Sequence, residues 1–370
     1  MSFTNRSFVY YLLLVTGVIC ISRCHDTIEM PDENVDLTHI PYQPITYFPT
    51  IPNGYPALEQ PTDNVMTIDG IQLGRKLFYD PILSIDSTKS CSTCHQQEKS
   101  FTDHLPFSEG VNGHTNRSSL SLVDVGFQFH GFFWDGRAAS LELQAIQPVE
   151  NPIEMGESWD HVSLKLKRQP AYQEGFRKAF GIASSALITK DLATKAISQF
   201  ERTFISSGRS RYDRFARGEI FLNDNETNGY LMFFNLDHDL PDAQCGHCHT
   251  APLFGTTDYF NNGLQESADF EGFTDKGLGV TTGIASDNGK FKTPTLRNLV
   301  FTVPYMHDGR FNTIEQVVNH YTSGGKPSPN KSPFLNNLHL TESQKSDLIS
   351  FILTLTDSSV LADPAFKNPF

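Results

Sequence analysis

Cys91-Ser92-Thr93-Cys94-His95 and Cys245-Gly246-His247-Cys248-His249 repeat one pattern, two cysteines separated by two residues and followed at once by histidine. Between them they use four of the six cysteines in the chain. Zinc sites and redox dithiols also favour such residues, but a dithiol gives no reason for a histidine after both pairs, and zinc ligation rarely uses that adjacent position. Covalent haem needs every part of the pattern: two thiols to bond the vinyl groups and the adjoining imidazole to bind iron. Two covalently bound haem c groups are therefore predicted, one on Cys91, Cys94 and His95 and one on Cys245, Cys248 and His249.

The other two cysteines, Cys20 and Cys24, close a leader in which Arg6 precedes an apolar run from Phe8 to Ile21. That run is short for a bilayer span, so residues 1–24 read as an export signal and the expected compartment is the periplasm, which suits covalent haem. Cys24 stands where a lipoprotein cysteine would, although Arg23 is atypical before it; a lipid anchor and plain cleavage are both open. About 345 residues remain, enough for two domains with one haem each. A net charge of −13 argues against nucleic acid and suits a soluble protein or one meeting basic partners such as small cytochromes c.

Residues 25–71 carry many prolines and little periodicity, as in a tether or a strap lying on the body, and no chemistry is expected there. Beyond Ile71 the clearest signals are helical. Ile188, Leu192, Ile197, Phe200 and Phe204 share one face between Thr189 and Ile205. Thr341 and Gln344 form a capping box ahead of the stripe Leu348, Phe351, Ile352 and Leu355. Alternating strand patterns are scarce and Gly, Pro, Asn and Asp spread through long stretches. The expected fold is mainly α, two cytochrome-c-like haem domains with long loops. Gly277-Leu278-Gly279 with Gly283 has no framing strand and helix and reads as a plain loop.

The second iron ligand decides the chemistry, because doubly ligated haem transfers electrons and haem with an open position can activate a small oxidant. Downstream of Phe133-Trp134-Asp135-Gly136-Arg137, the residues Glu142, Gln144, Glu150 and Glu154 offer groups able to move a proton between the oxygens of a peroxide. Spacing alone does not choose among them. Around the second motif the candidate ligands are Met306, His307, His320 and Tyr321.

The segments Leu73 to Pro81, Ser90 to His95, Phe101 to Asp103, Phe133 to Arg137, Leu141 to Gln144 and Glu154 to Gly156 resemble bacterial di-haem cytochrome c peroxidases. So do Cys245 to His249, Pro252 to Phe254, Asn261 to Leu264, Lys292 to Asn298 and Tyr305 to Gly309. The likeness runs from about residue 72 to residue 370. It implies an N-terminal peroxidatic haem domain at 72–225 and a C-terminal electron-transfer haem domain at 226–370. His95 and His249 are then the proximal ligands, Trp134 lies between the haems, and Gln144 and Glu154 belong to the distal pocket, with Glu154 as the acid–base group.

Two positions depart from the commoner pattern. Tyr321 stands where most members place a methionine ligand, as in the MauG-like branch, whose pocket proline Pro148 also matches; a phenolate lowers the haem potential relative to Met. Calcium is implied between the haems, with Thr302 and Pro304 at the carbonyl positions, but the matching Asn is Ser118. A loop histidine caps the peroxidatic haem in many members; His114 is the nearest candidate and His130 the next, and a surface histidine is the simpler reading of His114.

The leading expectation is an exported peroxidase that reduces hydrogen peroxide to water with electrons from a small cytochrome c or similar donor. A MauG-like oxidation of protein side chains and a non-catalytic di-haem electron carrier are the alternatives.

Overall fold

Close helix pairs set the frame in each half of the chain. A computed structural model describes residues 34–128 and 131–370; the leader, with Cys20 and Cys24, and His130 lie outside the described residues. The helix Ile68–Tyr79 starts at Thr67, whose hydroxyl accepts from Gly70 N at 3.0 Å. It crosses the helix Lys190–Glu201 at Gly74, where an added Cβ would overlap the Ala196 carbonyl. The helix Asp224–Phe234 crosses Glu342–Leu353 in the same way, with Gly229 against the Asp347 carbonyl. Only glycine lets two backbones approach so closely. Each pair begins one helix shortly before a Cys-Cys-His motif, so the two halves repeat one device.

Of the two helices that periodicity located, the last forms as expected. The Glu342–Leu353 capping box forms as expected, with Thr341 Oγ1 accepting from Gln344 N at 3.2 Å and Gln344 Oε1 accepting from Thr341 N at 2.9 Å. The helix begun by Thr189 ends earlier than the apolar stripe, at Glu201. Arg202 turns inward to Glu142 at 2.8 Å, and Phe204 leaves the helical path to stack on Phe101 with ring centroids 4.1 Å apart. Gly277 to Gly283 is a loop around a five-residue helix, Leu278–Thr282.

The described part of the proline-rich segment is a strap. Asp36 bridges to Ser184, Thr46 to Thr67, and Tyr55 Oη lies 2.6 Å from Ser206 Oγ. Strand pairing is confined to two-residue ladders, Glu109–Gly110 with Gly113–His114 and Tyr259–Phe260 with Phe291–Lys292, beside isolated bridges. Three apolar clusters fill the interior: two collect residues of the first half and one collects Met232 to Leu355. Val360 and Phe366 cross back into the first half, where Gln97 Nε2 donates to the Val360 and Asp363 carbonyls at 2.9 Å. Among the described residues, no helix is long and apolar enough to cross a membrane.

Replacing Gly74 or Gly229 with alanine is expected to destabilise the fold by about 1–3 kcal/mol, the usual cost of overpacking. Chemical denaturation of each variant checks this; midpoints equal to that of the parent protein would show that the helices separate freely.

Candidate functional site

Both motifs present their histidine by the same local construction. Ser90 opens a short helix, Cys91–Cys94, with Thr93 Oγ1 accepting from Ser90 N at 3.0 Å, and the chain then turns so that His95 Nδ1 meets Phe101 O at 2.9 Å. In the second motif a turn at Cys245–His247 brings His249 Nδ1 to Phe254 O at 3.0 Å. Phe101 and Phe254 are both fully buried with left-handed backbone, at φ of 59° and 52°. A carbonyl only accepts, so each ring carries its proton on Nδ1 and keeps the Nε2 lone pair for a metal. Burial lowers the basicity of both rings, for His249 to about 4, which keeps them neutral.

One continuous cavity touches both motifs, with Cys91, Cys94 and His95 on one wall and Cys245, Cys248 and His249 on another. The four cysteines are free thiols. Leu141, Ala145 and Val149 line it near the first motif and Ile314, Val318 and Leu348 near the second. Thiol pairs, an available imidazole nitrogen and apolar walls at each end fit two haem c groups.

Trp134 lies on this cavity and is held from both halves. Its Nε1 donates to Ser118 O at 2.9 Å, its carbonyl accepts from Lys292 N at 2.9 Å, and its ring meets His307 edge-on with centroids 6.3 Å apart. His307 is stacked on Phe291 at 3.7 Å and burial pushes it down to about 4 despite Asp308 and Asp275.

The carboxylates that spacing could not rank are separated by their surroundings. Glu142 is half-buried, which opposes ionisation, yet bonds from Arg202 at 2.8 Å and Asn64 at 2.7 Å hold its carboxyl below the usual range. Glu150 is exposed, 3.8 Å from Lys190. Neither lines the cavity, whereas Gln144, Pro148 and Glu154 do. Gln144 and Pro148 share the helix Leu141–Glu150, and Glu154 follows on a turn where Asn151 Nδ2 donates to its Oε1 at 2.6 Å. Burial raises the Glu154 carboxyl, with Arg137 and Asn151 pulling the other way. A carboxyl shifted upward is suited to carrying a proton.

Around the second motif Tyr321 and Met306 both line the cavity, and Asn262 Nδ2 lies 3.2 Å from Tyr321 Oη and 3.5 Å from Met306 Sδ. Burial raises the phenol to about 12, against the opposing Asn262 bond. His320 is turned away, its Nε2 on Asn262 O at 2.8 Å. Ser118 Oγ donates to Met306 O at 2.9 Å, and Ser118, Thr302 and Pro304 line the same cavity. His114 is exposed on its ladder opposite Glu109 and does not line the cavity.

Glu201 was missed in the sequence. It follows Ile197 by one helical turn on the apolar face, so a carboxylate within the buried stripe was the available signal. It lines the cavity, its Oε2 has no partner among the described residues, and burial raises it to about 8, with Arg202 opposing and Glu142 adding to the shift.

The family model described as "Di-haem cytochrome c peroxidase" matches residues 69–220. The chain is 33% identical over 301 residues to "Methylamine utilization protein MauG" of Methylorubrum extorquens, covering 81% of each protein. It is also 33% identical to "Cytochrome c551 peroxidase" of Nitrosomonas europaea, covering 81% of this chain and 83% of that protein. A crystal structure of a "MauG-like protein associated with microbial copper homeostasis" superposes with a TM-score of 0.78 at 33% identity, covering 87% of this chain and 99% of that one.

The raised carboxyl of Glu201 gives a signed pH dependence. Its folded value near 8 exceeds the ordinary 4.5, so the folded state holds the proton more tightly, and that stability is present in acid and lost as pH rises through about 8. Thermal unfolding between pH 5 and about 9 should show this decline, and Glu201→Gln should flatten it; parallel profiles for both proteins would remove Glu201 as the cause.

Proposed function

The chain belongs to the di-haem cytochrome c peroxidase family, and on that premise we propose that it reduces hydrogen peroxide to water with electrons from a small cytochrome c or similar donor. The observation that carries this reading is that His95, Gln144, Glu154 and Trp134 all line the one cavity that reaches both motifs. The partition into a peroxidatic half at 72–225 and an electron-transfer half at 226–370 is supported by the separate apolar clusters around each motif. Export to the periplasm, with or without a lipid on Cys24, rests on the leader sequence.

Bound at the two motifs, haem supplies the iron redox chemistry that cleaves the O–O bond and carries electrons. The chain's own residues do the rest. Cys91 with Cys94, and Cys245 with Cys248, fasten the two groups; His95 and His249 offer Nε2 while Phe101 and Phe254 carbonyls fix each ring plane. Reduction of one peroxide to two waters consumes two protons with its two electrons. Glu154 holds a proton at its buried carboxyl and delivers it to the departing oxygen, and Asn151 keeps that carboxyl aimed. Gln144 adds an amide to the same wall, suited to orienting a small polar oxidant. Pro148 cannot donate within its helix, so the Gln144 carbonyl loses its usual backbone partner beside the pocket. Trp134, pinned from both halves, is a rigid aromatic link between the two sites.

A second reading is favoured by Tyr321, whose buried phenol shares the cavity with the second motif. A phenolate ligand there stabilises oxidised iron, and the oxidising power would then be used on a side chain of another protein, as in the MauG-like branch. Peroxide turnover with ferrocytochrome or artificial donors supports the first reading. A donor that fails while peroxide leaves a covalently altered polypeptide in a periplasmic extract supports the second.

Glu154→Gln should lower the peroxide-dependent rate by about 10²–10⁴, the usual worth of a positioned acid–base group, with both haem spectra kept; steady-state kinetics on the holoprotein with parental rates would reject Glu154 as the proton carrier. Tyr321→Met should raise the potential of the second haem in a redox titration. An unchanged potential and spectrum would move the ligand to Met306.

A further inference from the structure

Asn262 stands at the one point where the two ligand candidates of the second motif come together. Its Nδ2 lies 3.2 Å from Tyr321 Oη and 3.5 Å from Met306 Sδ. Both neighbours accept hydrogen bonds, so the NH2 end of the amide faces them and the amide oxygen faces away. We propose that Asn262 is a positioning residue for the second haem, donating to the Tyr321 oxygen and so fixing both its direction and its donor strength toward iron. The inference rests on the reading that Tyr321 is a ligand of that haem.

The backbone makes the placement rigid. Asn262 O accepts from His320 Nε2 at 2.8 Å, and His320 immediately precedes Tyr321 on the helix Ile314–Thr322. Loop and helix are therefore joined twice, by the side chain of Asn262 and by its carbonyl. On one side of Asn262, the buried Asn261 donates to Ser328 Oγ at 2.9 Å and Asn330 Oδ1 at 2.7 Å. On the other, Gly263 N donates to Asn261 Oδ1 at 2.9 Å and Gly263 O accepts from Lys326 N at 2.8 Å. Gly263 has φ of +66°, and a side chain there would press on Gly325 and Lys326. An amide held this way meets the phenol oxygen without a reorganisation cost.

The chemistry follows from what a hydrogen bond does to an anionic ligand. An N–H donated to a phenolate oxygen stabilises its negative charge and reduces the electron density it gives to ferric iron, which raises the potential relative to an unbonded phenolate. The same amide within reach of a neutral thioether gains far less, since sulfur is a weak acceptor. Asn262 thus favours tyrosine over the neighbouring methionine and moderates the ligand it selects.

The test uses holoprotein with both haems attached, titrated for potential and examined by paramagnetic spectroscopy. Asn262→Leu removes the donor and should lower the midpoint potential of the second haem and shift its ferric signals, with the first haem as an unmoved internal reference. Asn262→Gln keeps an amide and should lie nearer the parent. In the unmodified protein, iron–phenolate vibrations should shift on exchange into D2O, a reading that needs no variant to fold. Tyr321→Phe serves as the control for ligation. If Tyr321→Phe alters the second haem but Asn262→Leu leaves its potential and spectrum in place, or if D2O causes no shift, the role of Asn262 is overturned. If Tyr321→Phe changes nothing, the ligation reading fails and the inference falls with it.

Discussion

The imidazoles of His95 and His249 each donate a hydrogen bond to the carbonyl of a buried phenylalanine, and the arrangement of the cavity depends on those bonds. They place the proton on Nδ1, leave Nε2 available and fix the ring plane. The carbonyls are in turn held by packing. Phe101 is stacked on Phe204, and Phe254 meets Tyr212 edge-on with centroids 4.8 Å apart. The orientation of each imidazole is therefore tied, through a phenylalanine carbonyl, to the aromatic packing around it.

What joins the halves is a short relay of backbone contacts around Trp134. Ser118 accepts from the indole and its own N–H donates to the His307 carbonyl at 2.8 Å, while Lys292 N donates to the Trp134 carbonyl. Charge reinforces the joint: Arg117 bridges Asp135, next to Trp134, and Asp275 across the interface at 2.6 and 2.7 Å. Arg117 is well buried and bidentate on Asp275, so these bonds are strong and directional. The separation between the two motifs is thus fixed by many small constraints, as electron transfer between fixed sites requires.

Local features were the ones legible in the sequence. The Thr341–Gln344 cap and the helix begun by Thr189 are written in short spacings; the cap forms as spaced, while the helix stops at Glu201 and only part of the expected apolar face, Ile197 and Phe200, lies buried on it. The carboxylates were not legible from spacing, because what separates Glu142 from Glu154 is an arginine 60 positions away that turns inward at the end of another helix. Glu201 was hidden for the opposite reason: nothing pairs with it locally, and only the assembled cavity gives its burial meaning. Asn262 sits in an unremarkable Asn-Asn-Gly turn until the helix bearing His320 and Tyr321 docks on it. Long-range pairing decides these cases, and a linear reading has no access to it.

The return of Val360 and Phe366 to the first half makes the packing there depend on the far end of the chain. Gln97, two residues beyond the first motif, is tied to a carbonyl 263 positions downstream, and Tyr79 Oη donates to Phe366 O at 2.5 Å. The apolar cluster beside Cys91 is thus closed by a latch drawn from the opposite half, and the first motif owes part of its dry surroundings to residues that lie beyond the second.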